Sequence, residues 1–219
     1  MSKYDRYLKY FKSMLPRPSF RLEKGEGAVM VSAPHAVEQF RAGRRKYAEP
    51  YTGVLARFIH DEMNVPVIYK TKNCHDDANR DDKSPYRDAI ADYVRANGIK
   101  YLIDLHQMSA ERAEQIDLGT GNGKNIEQDP MLLDIVKTAF SDRGFAPLTV
   151  EAHFSAVHPN TVCASTAREC GIACIQIEIN TKLLSNVYRG CRFTDVLGAL
   201  KEIIEKLNCR ALNDQRKDK

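Results

Sequence analysis

The chain has 219 residues, of which 43% are hydrophobic and 28% are charged, a composition that excludes a disordered, collagen-like or coiled-coil protein. The net charge of +4 is small, and residues 210–219 supply much of it, which argues against a nucleic-acid-binding protein. A chain of this length folds without disulfides or a structural metal. The six cysteines lack C-x-x-C spacing and are interpreted as reduced thiols.

No apolar run approaches the roughly 20 residues that span a bilayer. Residues 1–12 mix Lys, Asp and Tyr and do not form the apolar core of a signal peptide. We therefore expect a cytoplasmic protein with no membrane partner. A single domain is predicted over residues 1–219, with an N-terminal helical extension at 1–26 and a flexible basic tail at 210–219.

Short apolar runs rich in β-branched residues alternate with segments of helical period, which predicts β-α-β units around a mainly parallel sheet. Thr52 is predicted to cap one helix, and Ser84-Pro85 supplies an N-cap and a first-turn proline for the next. In chain order the predicted elements are a helix at 3–14, a strand at 28–33, a helix at 52–63, a strand at 65–69, a helix at 84–96, a strand at 100–105, helices at 130–140 and 161–169, a strand at 173–179 and a helix at 193–207.

A glycine-rich stretch at residues 119–124 (GTGNGK) invites a phosphate-loop interpretation. It lacks both the Walker spacing and the Ser or Thr that follows the Walker lysine. A loop or hairpin near a site is the preferred interpretation.

Two predicted strands each lead into a histidine. Residues 31–35 (VSAPH) reach His35 through Pro34, and residues 101–106 (YLIDLH) end at His106. Because ligands bind at the carboxyl edge of open α/β sheets, both imidazoles are expected at one rim. A lone histidine at a strand end is usually structural, but two at equivalent ends favour a zinc site.

Acidic residues are available as a third ligand and as a base. Glu49 precedes the helix at 52–63, where a loop could return it to the rim. Glu38 is the alternative third ligand, because it forms an H-x-x-E pair with His35. Glu178 lies within the apolar run 175–180 (IQIEIN), where an ionised carboxylate is costly unless it is paired or used. A salt bridge to Arg189 or Arg192 is its structural alternative.

Arg80 belongs to the polar segment 74–83 (CHDDANRDDK). Its planar guanidinium suits a substrate carboxylate, although pairing with Asp76 or Asp82 is an equal alternative.

Two further residues are interpreted as site residues. Asp104, two positions before His106, shares its side of the strand and would orient that ligand or the substrate. His153, in a loop before the helix at 161–169, is interpreted as facing the substrate.

Four segments in order, SAPHA (32–36), AEPYTGVLAR (48–57), DANRD (77–81) and QIEIN (176–180), resemble the N-formylglutamate amidohydrolase family. DLH at 104–106 and IDLGT at 116–120 also fit, so that the resemblance covers most of residues 27–188. It implies a phosphorylase/hydrolase-like three-layer α/β/α sandwich with a mostly parallel sheet, as in zinc carboxypeptidases and zinc N-acetylmuramoyl-L-alanine amidases.

The same resemblance implies one Zn²⁺ per chain on His35, Glu49 and His106, with Glu178 as the general acid and base. We expect Asn180, at the end of QIEIN, to contact the substrate together with Arg80, Asp104 and His153. Three protein ligands leave zinc an open position for water, and a nearby glutamate moves the water's proton.

The expected function is zinc-dependent hydrolysis of an amide bond in a small acidic substrate, such as an N-formyl or N-acyl amino acid. A peptidoglycan amidase or carboxypeptidase is the alternative within the same class, and a non-catalytic binder of a small acidic ligand is the alternative outside it. No nucleic-acid partner is expected, and the sequence leaves homo-oligomerisation, the acyl group and the amino acid open.

Overall fold

The computed structural model describes residues 1–13 and 17–217. The strands are β1 (Phe20–Glu23), β2 (Val29–Ala33), β3 (Gln39–Arg41), β4 (Arg44–Lys46), β5 (Val67–Lys70), β6 (Tyr101–Met108), β7 (Ile116–Gly119), β8 (Leu148–Val150) and β9 (Ala173–Asn180). The helices are α1 (Lys3–Lys12), α2 (Pro50–Met63), α3 (Pro85–Asn97), α4 (Met131–Ser141), α5 (Val162–Cys170), α6 (Thr181–Leu184) and α7 (Phe193–Lys217), and a 3₁₀ turn spans Lys124–Ile126.

Seven strands form the central sheet in the order β1-β5-β2-β6-β9-β7-β8. Strands β5, β2, β6 and β9 run parallel to one another, and β8 is parallel to β7. Strands β1 and β7 are antiparallel to their neighbours β5 and β9. The predicted α/β class with a mostly parallel sheet is confirmed.

Helices cover both faces of this sheet. Val29 and Val31 of β2 belong to one apolar core with residues of α1, α2, α4 and α7, whereas Met30 belongs to a second core with residues of α3 and α5. Burial on both faces explains why the central strands are continuous apolar runs. The three-layer α/β/α sandwich is therefore also confirmed.

Each predicted helix and strand has a counterpart, and the boundaries shift by at most about three residues except at the end of α7. The predicted end of the first helix, Met14, lies outside the described residues. Helix α2 begins at Pro50, so the prediction that Thr52 caps it was wrong: Glu49 holds the N-cap position, and the Thr52 hydroxyl donates to its carbonyl oxygen at 2.7 Å. Ser84 caps α3 as predicted, because its Oγ accepts from the Arg87 amide.

Both terminal segments differ from expectation. Residues 1–26 contain the edge strand β1 as well as α1, so they are more than a helical extension. The segment predicted as a flexible tail continues α7 through Lys217, and Arg210 Nη2 donates to Asp129 Oδ1 at 3.0 Å. Helix α7 is thus fixed to the rest of the domain beyond the predicted end at residue 207.

All six cysteines are free, with Cys163 and Cys174 buried and Cys74 and Cys209 exposed. Within residues 1–13 and 17–217, no helix combines the length and the apolar character that crossing a membrane requires.

Candidate metal centre and active-site cavity

Two neighbouring parallel strands bring His35 and His106 together. His35 follows β2 through a turn at Pro34, and His106 lies in the last part of β6. Both side chains are buried, and their ring centroids are 4.7 Å apart. The predicted convergence of the two imidazoles at one edge of the sheet is what the structure shows.

Glu49 completes this cluster from the start of α2. Its amide donates to the carbonyl of His35 at 2.8 Å, which returns the loop after β4 to the sheet edge. Its Oε1 lies 3.1 Å from His35 Nδ1 and its Oε2 lies 3.1 Å from His106 Nδ1. One ligand atom from each of the three residues lies within 4.8 Å of the others, a spacing suitable for one metal ion.

The remaining imidazole nitrogens each face an acid. His35 Nε2 is 2.9 Å from Asp77 Oδ1, and His106 Nε2 is 3.1 Å from Asp104 Oδ2. An ionised carboxylate only accepts hydrogen bonds, so each of these contacts favours a proton on Nε2, and Nδ1 of each ring faces Glu49. Histidines that ligate metals are typically oriented in this way, so the donor set fits a divalent cation.

The charges of this cluster stabilise one another. Burial alone would raise the pKa of Glu49, but the two imidazoles lower it to about 2. Burial alone would lower the pKa values of His35 and His106, but Glu49 and the acids behind the rings raise both. Glu49 therefore remains a carboxylate, the form that binds metal.

Glu178 lies beside the cluster on β9, where it is paired in register with His106. Burial raises the pKa of its carboxyl group to about 8, against the opposing effect of the His106 charge. Gln176 Nε2 donates to Glu178 Oε1 at 3.1 Å. Arg192 instead binds Asp195, at 2.9 Å, so the structure does not support the expected alternative of an Arg192–Glu178 salt bridge.

A cavity of about 790 Å³ opens above the cluster, and His35, Glu49, His106 and Glu178 line it. Arg80 also lines this cavity, and its guanidinium forms no hydrogen bond or ion pair with another described residue. The acids proposed as its alternative partners are occupied elsewhere, since Asp76 binds Lys70 and Asp82 accepts from Asn160.

Some predicted site residues do not line the cavity. The expectation that Asn180 contacts substrate is corrected: it caps α6, and its side-chain amide donates to the carbonyls of Arg112 and Glu114. His153 is outside the lining, with Nε2 3.3 Å from Glu114 Oε1. Asp104 is fully buried behind His106, and it contacts the His106 ring instead of the cavity.

Glu38, the alternative acidic ligand, binds other residues instead of the two histidines. Residues 34–38 form a turn and a bend, not a helix, so the H-x-x-E spacing does not place Glu38 on the side of His35. Its carboxylate binds Arg45 and accepts from Asn73 at 3.1 Å. Glu49 is the acid that reaches both histidines.

The roles of Asp77, Arg41 and Asp117 were not predicted from the sequence. Asp77 is the acid that orients His35, and Arg41 Nε donates to its second oxygen at 2.6 Å. Asp117 lies in the apolar run Ile116-Asp117-Leu118, so it is recognisable as a buried acid by the same pattern as Glu178.

Asp117 organises a loop of the cavity wall. Its buried carboxylate accepts from the Thr149 hydroxyl at 2.8 Å and from the amides of Ala152, His153 and Phe154 at 3.1, 2.9 and 3.1 Å. Gly119 allows the same loop to approach, because a Cβ there would lie 2.4 Å from the Phe154 carbonyl oxygen.

Asp117→Asn is expected to lower the free energy of unfolding by about 3 kcal/mol, because one acceptor oxygen of a buried carboxylate becomes a donor that faces backbone N–H groups. Urea unfolding measures the change. The matched control is Asp142→Asn, at an exposed residue, with an expected change within about 0.5 kcal/mol. Equal stabilities of the two variants would contradict this role of Asp117.

No family model and no curated protein matches the chain. Similar solved structures include a gene product of Agrobacterium tumefaciens, with a TM-score of 0.63 and 14% identity over 97% of this chain and 99% of that one. N-formylglutamate amidohydrolase from Ralstonia eutropha JMP134 has a TM-score of 0.58 and 14% identity over 88% of this chain and 98% of that one. A bacteriophage poly-gamma-glutamate hydrolase has a TM-score of 0.58 and 16% identity over 86% and 88%. The resemblance to N-formylglutamate amidohydrolases is confirmed for the fold.

Proposed function

We propose that the protein is a zinc-dependent amidohydrolase that cleaves an amide bond in a small carboxylate-bearing substrate, such as an N-formyl or N-acyl amino acid. The observation that carries this proposal is the convergence of His35 Nδ1, Glu49 and His106 Nδ1 in a cavity that also contains Glu178. Two of the similar structures are named for N-formylglutamate and poly-gamma-glutamate, which also supports an acidic amide substrate.

The ligand set supports zinc in particular. Two imidazole nitrogens and one carboxylate form a three-residue set of the kind that catalytic zinc sites use. When bound, zinc polarises the scissile carbonyl and lowers the pKa of water at its open position. Asp77 and Asp104 hold the two imidazole rings in the orientation that this set requires.

Glu178 is the group that moves the proton. As a carboxylate it accepts a proton from the attacking water, and as a carboxylic acid it donates that proton to the departing amine. A pKa near neutrality serves both steps, and burial provides it. Gln176 fixes one carboxylate oxygen by its hydrogen bond, so the other oxygen remains available for the proton.

Arg80 is the residue that selects an acidic substrate. Its exposed guanidinium has no ion-pair partner among the described residues and lies in the same cavity as Glu178. A substrate carboxylate would accept two parallel hydrogen bonds from it, which fixes the substrate's orientation as well as adding affinity.

A panel of N-formyl, N-acetyl and N-succinyl amino acids, with acidic and neutral side chains, tests the proposal on the zinc-loaded protein. We expect amine release from the acidic members, loss of that activity with a chelator, and recovery with added zinc. Release of C-terminal amino acids from peptides alone would favour a carboxypeptidase. Stoichiometric zinc without any hydrolysis would favour the non-catalytic binder.

A further inference from the structure

The hairpin formed by β3 and β4 carries an unusual concentration of positive charge beside the cavity. Residues 41–46 (RAGRRK) contain four cations and no acid. Ala42 and Gly43 both have positive φ, 49° and 75°, in the two-residue turn that joins the strands. All three residues of β4 are exposed, so the charges are available to a ligand.

The register of the hairpin places three of these cations on one face. Arg41 is paired with Arg44, and Gln39 is paired with Lys46. Directly paired residues share a face, as do residues two apart along a strand. Arg41, Arg44 and Lys46 therefore form one surface, here called the cation face, whereas Arg45 lies on the opposite face with Phe40.

The described residues of the chain neutralise only part of the charge on this face. Like charges directly opposite each other destabilise a strand pair, and Arg41 and Arg44 are such a pair. Arg41 is held by Asp77, but Arg44 and Lys46 form no ion pair with a described residue. By contrast, Arg45 on the opposite face is paired with Glu38.

The cation face opens on the proposed active site. Arg41 and Lys46 line the same cavity as Arg80 and Glu178, and Lys46 is only three residues before Glu49. Arg41 also links the hairpin to the metal centre, because Asp77 accepts from Arg41 on one oxygen and contacts His35 with the other. A ligand bound to this face is therefore continuous with the centre where the amide would lie.

We propose that the cation face is a second anion subsite, which binds additional carboxylates of an acidic peptide whose scissile amide lies at the metal centre; this inference rests on the proposed function. The cavity volume of about 790 Å³ fits a ligand larger than an N-acyl amino acid, since pockets of roughly 300–1,000 Å³ hold drug-sized molecules. Oligoglutamyl or oligoaspartyl peptides have the repeated carboxylates that three neighbouring cations would bind.

Binding of a fluorescein-labelled hexaglutamate peptide, followed by anisotropy in the zinc-loaded Glu178→Gln background, tests this subsite. We expect Arg44→Gln to weaken binding about threefold, and the Arg44→Gln/Lys46→Gln pair to weaken it about tenfold. The matched control is Arg45→Gln, which removes the same charge from the opposite face and should change affinity less than twofold. A hexaglutamine peptide should not compete.

Several results would overturn the subsite. One is an unchanged affinity of the Arg44→Gln/Lys46→Gln variant for hexaglutamate. Another is an equal loss of affinity in Arg45→Gln, which would indicate only long-range attraction. The third is tighter binding of a six-nucleotide single-stranded RNA than of hexaglutamate. Cleavage of N-formylglutamate by the enzyme with intact Glu178 separates the two proposals. Cleavage without hairpin-dependent binding overturns the subsite alone, and hairpin-dependent binding without cleavage of any amide overturns the proposed function alone.

Discussion

Glu178→Gln is expected to lower kcat by about a thousandfold, because general acid and base catalysis contributes about 10²- to 10⁴-fold. Glutamine has nearly the same shape, and its carbonyl oxygen can still accept the hydrogen bond from Gln176. It can neither take a proton from water nor give one to the leaving amine. Steady-state kinetics on an N-acyl amino acid measures the loss, and metal analysis of the same sample should show an unchanged zinc content.

Glu111→Gln is the matched control, since Glu111 is an exposed acid that lines the same cavity. Its kcat should remain within about twofold of the parent value, because no hydrogen bond or ion pair joins its carboxylate to His35, Glu49, His106 or Glu178. If Glu178→Gln retained more than about a tenth of the parent kcat, another group would have to move the proton.

The raised pKa of Glu178 also predicts how stability depends on pH in protein freed of metal by chelation. Between pH 4.5 and about 8 the folded state keeps a proton that the unfolded state has released. The free energy of unfolding should therefore fall as pH rises through this window. The raised pKa values of His35 and His106 act in the same direction, so Glu178→Gln should reduce the slope without abolishing it.

His35→Ala and His106→Ala are each expected to lower zinc affinity by more than about a hundredfold and to remove metal-dependent hydrolysis. Loss of a residue that only orients a ligand already costs about 10- to 100-fold, and these substitutions remove the ligand itself. Zinc per chain after dialysis against a competing chelator, together with the rate of amide hydrolysis, measures both effects.

Alanine at position 35 leaves the buried carboxylate of Asp77 without its imidazole partner, so this variant should also be less stable. His35→Gln provides an amide in that space and separates metal loss from unfolding. The control is His75→Ala, at an exposed histidine in the polar segment before α3. A doubly substituted His35/His106 protein that kept one zinc per chain and full activity would refute the assigned ligands.

The residues at the carboxyl ends of the buried strands could be predicted because burial and topology constrain them strongly. An apolar run such as residues 101–106 is typical of a strand buried in a parallel sheet. A histidine at the end of such a strand is therefore expected at the carboxyl edge of the sheet. Glu178 could be identified for a similar reason, since an acid among buried residues requires either a polar partner or a functional role.

The short elements could not be predicted in the same way. Strands β1, β3, β4, β7 and β8 have three or four residues each, too few for a periodic pattern. The hairpin is also highly charged, so its sequence is typical of a loop. Its strand pairing depends on a turn with positive φ at both Ala42 and Gly43. The Ala-Gly dipeptide is not one from which such a turn is predicted.

The partners of the polar side chains could not be predicted either, because they depend on neighbours in the tertiary structure. Asn180 and Arg80 both belong to segments that resemble the same family, yet Asn180 binds carbonyl groups of its own chain whereas Arg80 faces the cavity. Glu38 and Glu49 were equally acceptable ligands by type. The choice between them follows from the loop after β4, which carries Glu49 back to His35.

The position of β9 affects the order in which the sheet can form during synthesis of the chain. This strand is the last of the sheet in sequence, yet it lies between β6 and β7 and carries Glu178. Until it emerges from the ribosome, the facing edges of β6 and β7 lack their hydrogen-bonding partner, and β7 and β8 have no connection to the other strands. The nascent chain thus acquires Glu178, the proposed proton-transfer group, in the same event that joins the two parts of the sheet.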